Sequence, residues 1–218
     1  LDLAKGYYQV PLEESSRDYT AFSTARQHWR FRRLPFGLKN APAAFQREMQ
    51  TVLQGFSRRN LVIYLDDLLL METNFKKHLQ LVDDVLSALE SQGIKLNGKK
   101  CVWFQPEVPF LGHIVSARGL RRSPEYVEKV RSLGRPQTVK QLRQFLGVIN
   151  FQRKFVRHCS SISKPLTELT GQPGSTVIEW TDEMTEAFEK LKQVMEEEVT
   201  LAFPDYREDA QPLTLWTD

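Results

Sequence analysis

Cysteine is nearly absent from this chain of 218 residues: there are two, Cys101 and Cys159. They lie far apart and without CxxC spacing, which excludes a disulfide framework and a cysteine zinc site and fits a reducing compartment. Long hydrophobic runs are missing as well. The longest, Leu61 to Met71, is too short to cross a bilayer and carries two charges, so no membrane partner is expected. No signal peptide is expected, there is no internal repeat or low-complexity tract, and the chain opens on Leu1 rather than Met. We expect a piece of a longer polypeptide. Hydrophobic residues make up 41% of the chain, enough for a real core in one large domain or two small ones.

A net charge of +3 hides an asymmetry. Between Arg118 and Arg157 there are 11 Lys and Arg against 2 Asp and Glu, a local balance of +9. Between Glu179 and Asp209 there are 3 against 11, a local balance of −8. A basic block of that size among apolar helices points to a phosphate backbone as partner, with a solvated helix face as the alternative.

Hydrophobic periodicity places the elements. Leu1 to Leu3 and Tyr8 to Val10 have strand composition, and Tyr19 to Thr24 with Trp29 to Leu34 reads as a hairpin. Asn40 as N-cap and Pro42 in the first turn open a helix with Phe45, Met49, Val52 and Leu53 on one face. A second helix is expected from about Lys76 to Gln92, with Leu79, Val82, Leu86 and Leu89 inward and Gly93 as its stop. Val102 to Phe104 and Phe110 to Val115 read as short strands. After Gly119 the pattern turns helical. Ser123-Pro124 opens a short helix, and Thr138 with Gln141 forms a capping box for a longer one carrying Leu142, Phe145, Leu146 and Ile149. Gly171 to Ser175 reads as a linker, followed by an acidic helix over 182–197 and a final strand ending in Asp218. This order fits α+β architecture, an antiparallel sheet with helices on one face, followed by a helical region.

The chemistry concentrates at Tyr64-Leu65-Asp66-Asp67, where two adjacent carboxylates interrupt an apolar run. Buried acids are costly unless something compensates them, and a bound cation is the usual compensator. Alone, the pair also fits a hairpin whose turn is Asp-Asp. Asp2 is a further acid set in an apolar strand. Clustered carboxylates repel one another and are stable mainly when they hold divalent cations. Two such ions about 3.5–4 Å apart are the machinery of phosphoryl transfer at nucleotides. With the basic block, the residues suggest a metal-dependent enzyme acting on nucleic acid.

Several segments in order resemble the reverse transcriptase of gypsy-type LTR retrotransposons, relatives of the retroviral enzymes. Leu1 to Val10 (LDLAKGYYQV) resembles the first palm motif of that family, and Leu34 to Gln46 (LPFGLKNAPAAFQ) the second. Tyr64 to Asp67 matches its Tyr-x-Asp-Asp box. Gly93 to Cys101 (GIKLNGKKC) resembles the fourth motif, Phe110 to His113 (FLGH) the primer grip, and Thr138 to Gly147 (TVKQLRQFLG) the thumb-like helical region. Leu213 to Asp218 (LTLWTD) resembles the opening strand of a tethered ribonuclease H domain. The resemblance covers essentially the whole chain. It departs at Tyr8, where the family often has His, and at Phe36, where retroviral relatives often have Gln.

The resemblance implies a right-hand polymerase palm with partial fingers over 1–119, thumb-like or connection helices over 120–175, and over 176–218 the lead-in to a truncated ribonuclease H-like domain. It implies RNA-directed DNA polymerase activity, in which two Mg²⁺ ions (or Mn²⁺) assist attack of a primer 3′-hydroxyl on a deoxynucleoside triphosphate. Asp2 and Asp66 would be the principal metal ligands, Asp67 a supporting acid, and Asp218 the first acid of the ribonuclease H site. Tyr7 would be the steric gate against a 2′-hydroxyl, with a core aromatic as the alternative. Phe36 and Gly37 would lie along the nucleotide, Gly37 by permitting close backbone approach or simply by turning the chain before the helix. Lys100 would neutralise or protonate the leaving pyrophosphate, unless it is an ordinary loop lysine. Phe110, Gly112 and His113 would hold the primer end, and Lys140, Arg143 and Arg153 would contact duplex phosphates. The implied partners are an RNA or DNA template with primer, deoxynucleotides, and the remaining polyprotein: protease, fingers, ribonuclease H and integrase. The implied location is a cytoplasmic virus-like particle or the nucleus. The rival is an inactive or domesticated remnant that keeps only nucleic-acid binding.

Overall fold

A computed structural model describes residues 1–204. The expected strand over 213–218, with Asp218, lies outside the described residues. The chain divides after Gln105 into two compact units, ahead of the boundary drawn from the sequence at residue 119. The strands after Pro106 therefore belong with the second unit.

In the first unit, Leu1 to Leu3 is extended and leads into a 3₁₀ turn, Gly6–Gln9. A short helix α1 (Glu14–Arg17) and a small hairpin, β1 (Phe22–Ser23) and β2 (His28–Trp29), follow. Next come α2 (Ala41–Val52), the hairpin β3 (Leu61–Tyr64) and β4 (Asp67–Leu70), and α3 (Phe75–Ser91). Residues 8–10 do not form the expected strand. Tyr8 lies inside the 3₁₀ turn, which carries the chain away from the sheet just after Asp2.

Helix α2 packs on β3 and α3 on β4, and Leu3, Phe45, Met49, Leu61, Leu68 and Leu89 share one buried core. Asn40 holds the cap position of α2, but its backbone is already near-helical (φ −95°, ψ −2°) and its side chain accepts no capping bond. Asn74 caps α3 instead from an extended backbone, accepting from the Lys77 N–H at 3.2 Å. Gly93 (φ +68°) stops that helix by donating to the Glu90 carbonyl at 2.8 Å. The buried stripe of α3 is Val82, Val85 and Leu89, whereas Leu79, expected inward, is 50% exposed. The stripe is rotated from the expected one because Val85 provides the central inward contact.

The second unit begins with β5 (Glu107–Phe110), β6 (His113–Ser116) and β7 (Gly119–Arg122). With β8 (Thr200–Leu201) they form one antiparallel sheet in that order. The run from Phe110 to Val115, read as one strand, is two strands joined by a turn at Leu111-Gly112. Four helices follow: α4 (Pro124–Ser132), α5 (Val139–Phe151), α6 (Cys159–Thr167) and α7 (Asp182–Glu196). The capping box at Thr138 and Gln141 is present. Val130, Leu142, Phe145, Ile149, Phe188 and Leu191 belong to a single core. The segment before residue 205 therefore folds into this unit. Among the described residues no helix is long and apolar enough to cross a membrane.

Candidate active site

Backbone pairing brings distant acids together in the first unit. Leu1 and Leu68 exchange both ladder bonds, at 2.6 and 3.0 Å, so the next pair along, Asp2 with Asp67, is a non-hydrogen-bonded antiparallel pair. In such a pair facing side chains stand closest, with Cβ atoms roughly 4.5–5.5 Å apart. The Leu3 N–H then donates to the Asp66 carbonyl at 3.1 Å. On its other edge the same short strand is held by residues 95–97: Leu3 bridges Leu96, and the Asn97 N–H donates to the Asp2 carbonyl at 2.8 Å. Residues 1–4 are thus a central strand with neighbours on both sides.

Like charges placed opposite one another across a ladder are unfavourable, and Asp67 shows it. Burial first, then the Asp66 and Asp2 carboxylates, push its carboxyl above the ordinary value, while Lys100 and the Leu1 amino group pull it back. Lys100, exposed in the loop after residue 97, is therefore near enough to act on Asp67. Among the described residues, no three carboxylate, imidazole or thiol groups stand together so that they could hold a metal ion as they are. The fold supplies three carboxylates on adjoining backbone positions, hard-oxygen donors of the kind divalent cations take, with negative charge in excess.

The β3–β4 turn that carries Asp66 is braced from α2. Gln46 donates to the Ile63 carbonyl at 3.1 Å and accepts from the Leu65 N–H at 2.7 Å. This holds Leu65 in the left-handed region (φ +52°), where leucine is disfavoured. The 3₁₀ turn lies against the same loop: a side chain on Gly6 would meet the Phe45 ring at 3.0 Å and the Asp66 Cβ at 3.3 Å. Gln9 fastens that turn, donating to the Ala4 and Lys95 carbonyls at 2.7 and 2.9 Å and accepting from the Lys95 N–H at 2.6 Å. Gln46 and Gln9 fall inside quoted motifs, but their bracing depends on non-local pairing that no local pattern discloses.

Tyr7 follows Gly6 directly. Its half-buried ring sits edge-on to Phe36, with centroids 4.8 Å apart, and to Phe45 at 5.2 Å. Phe36 is 58% exposed, and Gly37 beyond it turns with φ +90° in open surroundings. Tyr7 is thus next to the Gly6 turn that lies on Asp66, with Phe36 packed on its ring.

The remaining candidates lie in the second unit. Phe110 and His113 face each other across the β5–β6 turn, with Gly112 inside it. Burial pushes the His113 imidazole below its usual value, with Lys154 adding to the effect. The basic block does not form one uniform surface. Arg118 and Arg121 pair with Glu107, and Arg131 with Glu128 and Glu196. Arg143 binds the Thr170 and Gln172 carbonyls, where it closes the end of a helix. Lys140 is exposed on α5, while Arg153 lies past its end in a 3₁₀ turn, Arg153–Phe155.

Residues 1–115 match the family model described as reverse transcriptase (RNA-dependent DNA polymerase). The chain is similar to the retrovirus-related Pol polyprotein from transposon 297 of Drosophila melanogaster, 38% identical over 94% of this chain and 19% of that polyprotein. It is also similar to the Pol polyprotein from the gypsy transposon of the same organism, 33% identical over 100% of this chain and 22% of the relative. The chain thus spans about a fifth of the length of these relatives. Its fold is similar to that of a foamy viral protease-reverse transcriptase in complex with double-stranded DNA: TM-score 0.86, 29% identity, covering 94% of this chain and 36% of that one.

Proposed function

Because this chain belongs to the reverse transcriptase (RNA-dependent DNA polymerase) family, among those of gypsy-type retrotransposon Pol polyproteins, we propose that it carries the metal-binding centre for DNA synthesis on RNA and DNA templates. The observation that supports this most is the Asp2–Asp67 pair with Asp66 beside it, an acid cluster whose charge is unbalanced in the protein alone. Two Mg²⁺ ions there would activate the primer hydroxyl and stabilise the leaving oxygen. Asp2 and Asp66 would hold them, and Asp67 would support Asp2 across the ladder. The primer 3′-hydroxyl would give its proton to solvent as its oxygen attacks the α-phosphorus of the incoming deoxynucleotide, and the bond to pyrophosphate breaks. Lys100 would neutralise or protonate the leaving pyrophosphate, a role supported by its effect on the Asp67 carboxyl. Tyr7, fixed by Phe36 and Phe45, bounds the sugar, and the second unit supplies contacts to primer and duplex. The partners are a template with primer, deoxynucleotides and the other segments of the polyprotein.

The metal claim has a test that needs no catalysis. The Asp67 carboxyl is raised in the folded chain, so the folded state takes up that proton at higher pH than the unfolded state. Without metal, stability therefore falls as pH rises through the ordinary carboxylate range towards the raised value, and stays lower above it. Asp67→Asn removes that penalty, so the metal-free variant should melt higher than the unaltered chain at neutral pH. Mg²⁺ at ten times its dissociation constant should stabilise the unaltered chain by about 1.4 kcal/mol, and D67N by less. Thermal unfolding with and without Mg²⁺ checks both. A variant that melts lower without metal yet keeps the full Mg²⁺ gain would contradict the acid cluster.

A further inference from the structure

The loop between β5 and β6 is two residues long, Leu111 and Gly112, and both have positive φ, +50° and +77°. That is the backbone of a type I′ turn, for which Asn-Gly is the favoured sequence. Leucine at the first position is disfavoured, because in the left-handed region its Cβ crowds the following carbonyl. The turn therefore depends on contacts from outside itself.

Three such contacts come from the same unit. Gln152, just past the end of α5, donates its amide to the Gly112 carbonyl at 3.3 Å. The His113 Nδ1 lies 2.9 Å from the Leu111 carbonyl, and the His113 ring packs on Phe151 and Phe155 with centroids 5.9 and 5.8 Å away. A side chain on Gly112 would begin 3.3 Å from the Phe151 ring. Gln152 is 0% exposed; its Oε1 and the His113 Nε2 both lack a partner at full hydrogen-bond geometry among the described residues, yet Gln152 lies close enough to the imidazole to act on it, so it bears on the turn through His113 as well as through Gly112. An apolar residue of equal size would leave the Gly112 carbonyl without its donor and the His113 ring without its polar neighbour, so both polar interactions of the glutamine side chain go to the turn.

We propose that Gln152 is a positioning residue for the primer end: from the end of α5 it holds the Leu111-Gly112 turn in the conformation that meets the primer 3′-terminus. This rests on the reading of Phe110 to His113 as the segment that holds the primer. Gln152 touches neither nucleotide nor metal in this scheme. It acts through the Gly112 carbonyl, and a displacement of about 1 Å at a reacting end can cost on the order of 100-fold in rate.

The test uses the polymerase that carries this chain, with Gln152→Met, which keeps the volume and removes the donor. The expected result is a single-turnover extension rate lower by roughly 10- to 100-fold, with the dissociation constant for primer-template duplex unchanged and the Tm lowered, because the Gly112 carbonyl loses its donor. Leu111→Asn gives the turn its favoured sequence and makes it self-supporting. The pair L111N/Q152M should therefore extend at close to the L111N rate. The pair also carries the test if Q152M alone does not fold, since it should then fold and extend. Q152M extending at the unaltered rate overturns the proposal, as does a pair that is as slow, or as unfolded, as Q152M. Extension by a D66N enzyme would instead overturn the polymerase reading, so the two failures are distinguishable.

Discussion

Replacing Asp66 with Asn in the polymerase that carries this chain should reduce Mg²⁺-dependent primer extension by at least about 10³-fold. Loss of one preorganised charge-stabilising group commonly costs about 10²–10³ in rate, and a ligand to a catalytic cation should cost no less. The substitution is close to isosteric and leaves the surroundings intact. Asp66 is exposed in the β3–β4 turn, and the bonds that hold the turn go to the Ile63 carbonyl, the Leu65 N–H and the Asp66 carbonyl. None uses the carboxylate. The Tm should stay within a degree or two of the unaltered protein while the rate collapses, and single-turnover extension on an RNA template measures it. Unchanged extension by D66N would refute the assignment.

Tyr7→Ala should cost discrimination rather than activity. The Tyr7 ring packs edge-on against Phe36 and Phe45, contacts that oppose its swinging aside for an extra hydroxyl. An unrelieved overlap worth about 2.7 kcal/mol corresponds to roughly 100-fold in relative kcat/KM, and that is the expected gain of ribonucleotides against deoxynucleotides in the variant. Tyr7→Phe keeps the ring and should keep the discrimination, because the exclusion is steric and does not need the phenol. Competitive incorporation of a ribo- and a deoxynucleotide opposite the same template base measures it. Undiminished discrimination in Y7A would remove the gate.

What was legible in the sequence was local. The capping box at Thr138 and Gln141, the stop at Gly93 and the inward face of α5 all follow from spacing within a few residues. The acids were conspicuous for a similar reason, as charges inside apolar runs. Their pairing was not, because the register that sets Asp2 opposite Asp67 joins segments far apart in sequence and is fixed by Leu1, Leu68 and Asn97. Composition misled at Val102 to Phe104, which is rich in strand formers yet forms no strand, with Phe104 at φ +49°. At Leu111-Gly112 the turn lacks the Asn-Gly signal, so two strands read as one. Arg143 shows the limit of charge counting: its guanidinium is committed to the carbonyls of Thr170 and Gln172, which no tally of basic residues discloses.

The Asp2–Asp66–Asp67 centre can be seen directly by anomalous scattering from Mn²⁺, in crystals of the polymerase bound to primer-template duplex and an incoming deoxynucleotide. The expected result is two peaks about 3.5–4 Å apart, both touching carboxylate oxygens of Asp2 and Asp66. Manganese bound elsewhere, or Asp2 and Asp66 carboxylates more than about 10 Å apart when that spacing is required of a shared site, would contradict it.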